Sequence, residues 1–201
     1  MKLRRSKEGV IARKLIHYSA VGIPLAYYYL FDKKTALYLL LTASIIIIFS
    51  DVLRMIGPKT RRLYWRLFGW MSKKRELKYE FTGASYMLVG SLLVVLLFPK
   101  NIAVTALIFL TIGDPTACLI GTFLGRIKTI RNKTLEGTLA FILSGFLVSL
   151  LVTEMPVIYK LIAAVTAALV EMLPIKIDDN FTVPISAGFV LGLLTGSLTL
   201  L

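Results

Sequence analysis

The chain has 201 residues, 57% of them hydrophobic, and a mean hydropathy of +0.77. Soluble domains lie near about 45–50% apolar, so a soluble domain is excluded and an integral membrane protein is expected. A net charge of +13 would suggest nucleic acid in a soluble protein; orientation in a membrane explains it better, and no nucleic-acid partner is expected. The one cysteine, Cys118, excludes an internal disulfide.

The chain starts with a short basic stretch carrying Lys2, Arg4, Arg5, Lys7, Arg13 and Lys14. No clear small-residue cleavage site follows the next apolar segment, which reads as a retained helix and not a leader. Seven apolar segments are expected to cross the bilayer, at residues 15–31, 35–53, 83–98, 101–125, 135–152, 157–173 and 183–201. They are solidly apolar, not alternating, which argues against a β-barrel. One all-α domain is expected over residues 1–201, a polytopic membrane bundle of about seven transmembrane helices.

With the N-terminus in the cytoplasm, twenty of the twenty-four Lys and Arg lie on the cytoplasmic side, the asymmetry that orients membrane proteins. Only Lys33, Lys34, Lys100 and Lys160 fall opposite. The loop holding Lys133 is then cytoplasmic, where nucleotides are, so a multi-pass cell-membrane protein with a cytoplasmic active site is expected.

After the second segment, Leu63, Leu67, Trp70 and Met71 recur at helical spacing with Arg61, Arg62 and Arg66 between them. This reads as an amphipathic helix in the interface, or equally as a solvated basic loop. Small residues repeat every four positions, at Gly113, Ala117, Gly121 and Gly125 and again at Gly188, Gly192 and Gly196. Such stripes let helices approach closely. Gly113 is singled out for close backbone approach to a ligand.

Residues 113–138 organise the rest. The apolar run 102–112 is too short to cross ~30 Å of hydrocarbon alone, and it leads into Asp114 and Pro115 before apolar character resumes to Leu124. An ionisable residue near mid-membrane usually faces a cavity or a partner. Asp114 is expected to cap a new helix that starts at Pro115. Free N–H groups there would suit a phosphate, and the carboxylate a metal ion. Arg126, Lys128, Arg131 and Lys133 follow, then Glu136 at the head of the next segment. Together they suggest a nucleotide-phosphate site at a membrane face.

A second constellation joins the last two segments: Glu171, Pro174, Asp178, Asp179, Asn180 and Pro184. Three carboxylates and an amide supply hard oxygen ligands suited to Mg²⁺. The plain alternative is a polar loop capping the last helix, with Asn180 as cap. His17, the only histidine, could be a base or phosphate contact, but reads more readily as a packing or interface residue. Asp51 could pair with Arg54 or join the site.

Four motifs then stand in order along almost the whole chain: Arg13-Lys14-x-x-His17, Gly113-Asp114-Pro115-x-Ala117, Lys133-Thr134-Leu135-Glu136-Gly137-Thr138, and Glu171-x-x-Pro174-x-x-x-Asp178-Asp179-Asn180. Together they resemble the dolichol kinase and phytol kinase family, CTP-dependent membrane kinases of lipid alcohols. The resemblance implies CTP as donor, residues 113–138 as the CTP-binding region, and a polyprenol acceptor yielding dolichyl phosphate or an analogue. Eukaryotic dolichol kinases are much longer, and this chain looks like the minimal core of microbial and plastid relatives. Phytol, geranylgeraniol or diacylglycerol is the alternative acceptor.

On this reading Asp114, Asp178 and Asp179 hold Mg²⁺. Lys133 binds the phosphates with Arg126, Lys128 or Arg131, and Gly113, Thr134, Gly137 and Thr138 line the nucleotide. Asn180 contacts metal or ribose, and Glu136 or Glu171 accepts the hydroxyl proton. The expected partners are CTP, a lipid alcohol and the bilayer, with a second copy of the chain also conceivable. Two rivals are weaker. A CDP-lipid cytidylyltransferase would need a His-Gly-Gly signature, and no histidine follows His17. A transporter or lipid-binding protein would have no need of the Lys133 to Thr138 motif.

Overall fold

Apolar segments punctuated by caps, glycines and prolines form helices and no strand among the described residues, which are 7–72, 80–130 and 133–198 of the computed structural model. In order these are α1 (Lys7–Ser19), α2 (Gly22–Tyr29), α3 (Lys33–Ile56), α4 (Pro58–Phe68), α5 (Gly83–Leu97), α6 (Lys100–Ile108), a π-helical turn (Phe109–Gly113), α7 (Asp114–Phe123), α8 (Leu135–Ser149), α9 (Val157–Met172) and α10 (Asp179–Thr195). Lys2, Arg4, Arg5 and Arg131 lie outside the described residues.

Short polar side chains start the helices where backbone N–H groups would otherwise be orphaned. Asp32 accepts from Thr35 N, Thr82 from Ser85 N, Thr134 from Gly137 N and Asp178 from Asn180 N. The cap of α10 is therefore Asp178, not Asn180. The first expected segment is divided: α1 ends at Ser19, and α2 restarts with Pro24 in its first turn, where a missing N–H costs nothing.

Two helical stretches are long and apolar enough to cross a membrane, Lys33–Ile56 and Lys100–Phe123. The apolar helices α5 and α8, of 15 residues each, extend about 22 Å, short of a ~30 Å hydrocarbon core. The outer surface is strongly apolar. Along α9, Ala163, Ala164, Ala167 and Ala168 are buried while Leu161, Ile162, Val165 and Leu169 face outward. Small-inside and large-outside suits helices packed in lipid, because soluble proteins rarely expose such contiguous patches. The helix α4 buries no residue, exposing Leu63, Trp65, Leu67 and Phe68 beside its arginines.

The stretch Lys100–Phe123 is the core of the bundle. Every residue of α6 from Ile102 to Ile108 is buried, with α2, α5, α8 and α10 packed around it. The expected break at Asp114 is not a break. Pro115 brings no N–H to the preceding turn, and the chain widens there into a π turn, with Asp114 N donating to Phe109 O. Asp114 is thus in mid-helix with helical backbone, and its side chain caps nothing. No free helix N-terminus is presented at this point.

The small-residue stripe on α7 faces α8. A Cβ at Gly137 would stand 2.8 Å from Ala117 O, so α7 and α8 approach as closely as backbones allow. Gly113 meets the Phe141 ring, 3.0 Å from where its Cβ would be. Helix packing accounts for that glycine, which corrects the ligand-approach role expected of it.

Candidate active site

Five elements bring ionisable groups to one point. The π turn sets Asp114 inward at 2% exposure. From α1, Lys14 Nζ reaches Asp114 Oδ2 at 2.5 Å, and His17 Nδ1 stands 3.2 Å from the same oxygen. Residues 14 and 17 lie one helical turn apart and so share a face. That face is held against α7 by Tyr18 OH, 2.7 Å from Thr116 Oγ1.

From the α7–α8 connection comes Lys133, whose Nζ donates to Glu171 at the end of α9 and lies 3.6 Å from Asp179 Oδ2 at the start of α10. Carboxylate oxygens of Asp114, Glu171 and Asp179 all lie within 4.8 Å of one another. Burial alone would lower the pKa of Lys133, but the Glu171, Asp179 and Asp114 carboxylates outweigh it and hold it above the ordinary lysine value.

The connection itself is a tight turn. Thr129 N donates to Lys133 O, and Leu135 N to Ile127 O. Glu136 closes it, its Oε1 accepting from Arg126 N at 2.9 Å and Ile127 N at 3.1 Å. Glu136 therefore braces the turn that aims Lys133, and its carboxylate is not part of the cluster.

Arg126 and Lys128 stand exposed on the turn. Thr134, Gly137 and Thr138 share a cavity of about 220 Å³ with Lys133 and Glu171. A second cavity, about 200 Å³, is walled by Lys14, Asp114, Lys133 and Asp179.

Asp178 and Asn180 stand apart from this group. The Asp178 carboxylate caps α10, and Asn180 Nδ2 donates to Gly83 O on α5. The metal-competent trio is thus Asp114, Glu171 and Asp179, in place of the expected Asp114, Asp178 and Asp179. Asp51 pairs with Arg54 and accepts from Thr82 N, Thr82 Oγ1 and Ser85 Oγ, which ties α3 to α5.

The sequence carries Lys14 only as part of the first motif and leaves His17 between a base or phosphate contact and a packing residue. Their three-residue spacing within Arg13-Lys14-x-x-His17 was the available signal. What it lacked was that α1 lies across α7.

Hard oxygen ligands suit Mg²⁺. Two lysines pair with the three carboxylates here.

An all-helical bundle with an apolar exterior encloses a charged, cation-competent centre. No protein-family model matches the chain, and no solved structure matches it. It is 31% identical over 186 residues to the uncharacterized protein RP860 of Rickettsia prowazekii, covering 87% of this chain and 89% of that one. The chain belongs to one family with that protein. It is also homologous to proteins named CTP-dependent diacylglycerol kinase 1. The Saccharomyces cerevisiae protein is 28% identical over 207 residues (87% of this chain, 70% of that one). The Schizosaccharomyces pombe protein is 33% identical over 98 residues, 48% of this chain and 44% of that one.

Proposed function

We propose that this chain is a CTP-dependent kinase that moves the γ-phosphoryl group of CTP to the hydroxyl of a membrane lipid, leaving CDP and a lipid phosphate. One observation carries the reading: Lys14, Lys133, Asp114, Glu171 and Asp179 converge at one point bordered by two small polar cavities. Phosphoryl transfer asks little covalent chemistry of a protein and depends on positioning and charge neutralisation. The names of the yeast homologues support CTP as donor and make diacylglycerol an acceptor to test beside the polyprenol that the family resemblance suggests.

The residues divide by charge. Asp114, Asp179 and Glu171 would hold Mg²⁺, which when bound neutralises phosphate oxygens. Lys133 contacts the phosphates from the braced turn, with Arg126 and Lys128 supplying a cationic approach. Thr134, Gly137 and Thr138 border the nucleotide. Glu136 holds the turn, its carboxylate engaged by Arg126 N and Ile127 N, and does not take the hydroxyl proton. The apolar exterior supports a membrane-embedded enzyme, and the positive-inside asymmetry supports a cytoplasmic site.

The test is phosphoryl transfer from γ-labelled CTP, with ATP and GTP in parallel, in detergent with Mg²⁺. The acceptors are diacylglycerol, dolichol, geranylgeraniol and phytol. Label moving from CTP to one alcohol is the expected result. Transfer to none of them, by protein that unfolds cooperatively, would overturn the reading.

A further inference from the structure

His17 also lines a cavity of about 400 Å³ between α1, α3, α4 and α5, a size that accommodates small organic ligands. Its walls are mainly apolar, formed by Ile16, Ile47, Phe68, Ala84 and Met87. His17 lines it at 6% exposure, and His17 Nε2 has no hydrogen-bond partner among the described residues.

Such an orphan is costly. An imidazole that gives its Nδ1 proton to a carboxylate carries a lone pair on Nε2, so this atom is an acceptor without a donor. None of the polar groups described around the cavity donates to it. Asp51 is held by Arg54, Thr82 and Ser85; Ser72 Oγ donates to Phe68 O; Asn180 Nδ2 donates to Gly83 O.

The position is as telling as the vacant lone pair. Arg13 and Met71 border both this cavity and the polar one walled by Lys14, Asp114, Lys133 and Asp179. The His17–Asp114 pair therefore stands between an apolar chamber and a charged one.

We propose that the apolar cavity binds the hydroxyl-bearing end of the acceptor lipid, with that hydroxyl donating to His17 Nε2 beside the phosphate-binding cluster. This rests on the kinase reading and adds to it where the acceptor sits and which side chain holds it. His17 would then contact substrate directly.

The test uses the full chain in lipid nanodiscs, with a diacylglycerol analogue carrying a photoreactive acyl chain and the same analogue acetylated at its hydroxyl. The free alcohol is expected to label α1, α3 or α5 about tenfold more than the acetate, the worth of one hydrogen bond. Ala84→Phe, which fills the cavity, is expected to remove the labelling while CTP still raises the melting temperature.

His17→Asn keeps a donor toward Asp114 and loses the far nitrogen. It is expected to raise the acceptor KM about tenfold with the CTP KM little changed. Equal labelling by both analogues, labelling confined to other helices, or an unchanged acceptor KM in both variants would overturn the proposal. If labelling is selective but no alcohol is phosphorylated, the pocket stands and the kinase reading falls. If transfer is normal in Ala84→Phe, the kinase stands and the pocket falls.

Discussion

Lys14 Nζ lies 2.5 Å from Asp114 Oδ2 across 100 residues of sequence, with both side chains buried. Removing one partner of such a pair leaves the other as an uncompensated charge. Lys14→Met is therefore expected to cost about 3–5 kcal/mol. Adding Asp114→Asn should recover part of that loss while leaving the protein inactive. Thermal unfolding in detergent checks both, and a double variant no more stable than the single one would argue against the pair.

Lys133 has a different character, because its stem is partly exposed and it stands on a loop. Lys133→Ala should still fold, with some loss of stability because the buried Glu171 loses its partner, and lower phosphoryl transfer by about 10²–10³-fold, the usual cost of deleting a charge-stabilising donor. A normal rate would remove Lys133 from the site.

Adjacent aspartates should separate cleanly. Asp178→Asn keeps a good capping side chain and is expected to stay near wild type in both stability and rate, whereas Asp178→Ala loses about 1 kcal/mol. Asp179→Asn, with its carboxylate in the trio, should raise the Mg²⁺ concentration needed for half-maximal rate. Equal behaviour of the two asparagine variants would contradict the division of roles.

Glu136→Ala is predicted to loosen the turn without touching the cluster. The expected signature is a CTP KM raised about 10-fold, in keeping with the loss of a supporting contact behind a site. An unchanged KM would mean that the turn holds its shape without this brace.

Gly137→Ala would force a Cβ toward Ala117 O, at 2.8 Å in the present packing. Backbone cannot yield as a side chain can, so a loss of about 1–3 kcal/mol is expected. Gly113→Ala should be milder, because the Phe141 ring can turn aside. Melting temperatures of the two variants decide the order.

Much of this was readable in the sequence, for identifiable reasons. One helix end has a short local signal, Pro174 just beyond α9. Asp114, Lys133, Glu171 and Asp179 stood out as charges at the ends or centres of apolar runs. What stayed hidden depended on non-local geometry. Nothing local says that α1 crosses α7, so Lys14 and His17 could not be placed. Asp178 and Asp179 are indistinguishable by chemistry and differ only in which one falls at the helix boundary. The π turn was hidden because a proline in an apolar run ordinarily signals a helix end.

That turn has a consequence for how such a site is inherited. A π turn holds one residue more than an α-helical turn, and one residue is worth about 100° of rotation. The wider turn spends that extra residue within itself, so the helix beyond keeps the register of a regular helix one residue shorter. Losing a single residue between Phe109 and Gly113 can thus leave Asp114 aimed at the charged centre. The length of this stretch can drift by one residue without moving the carboxylate.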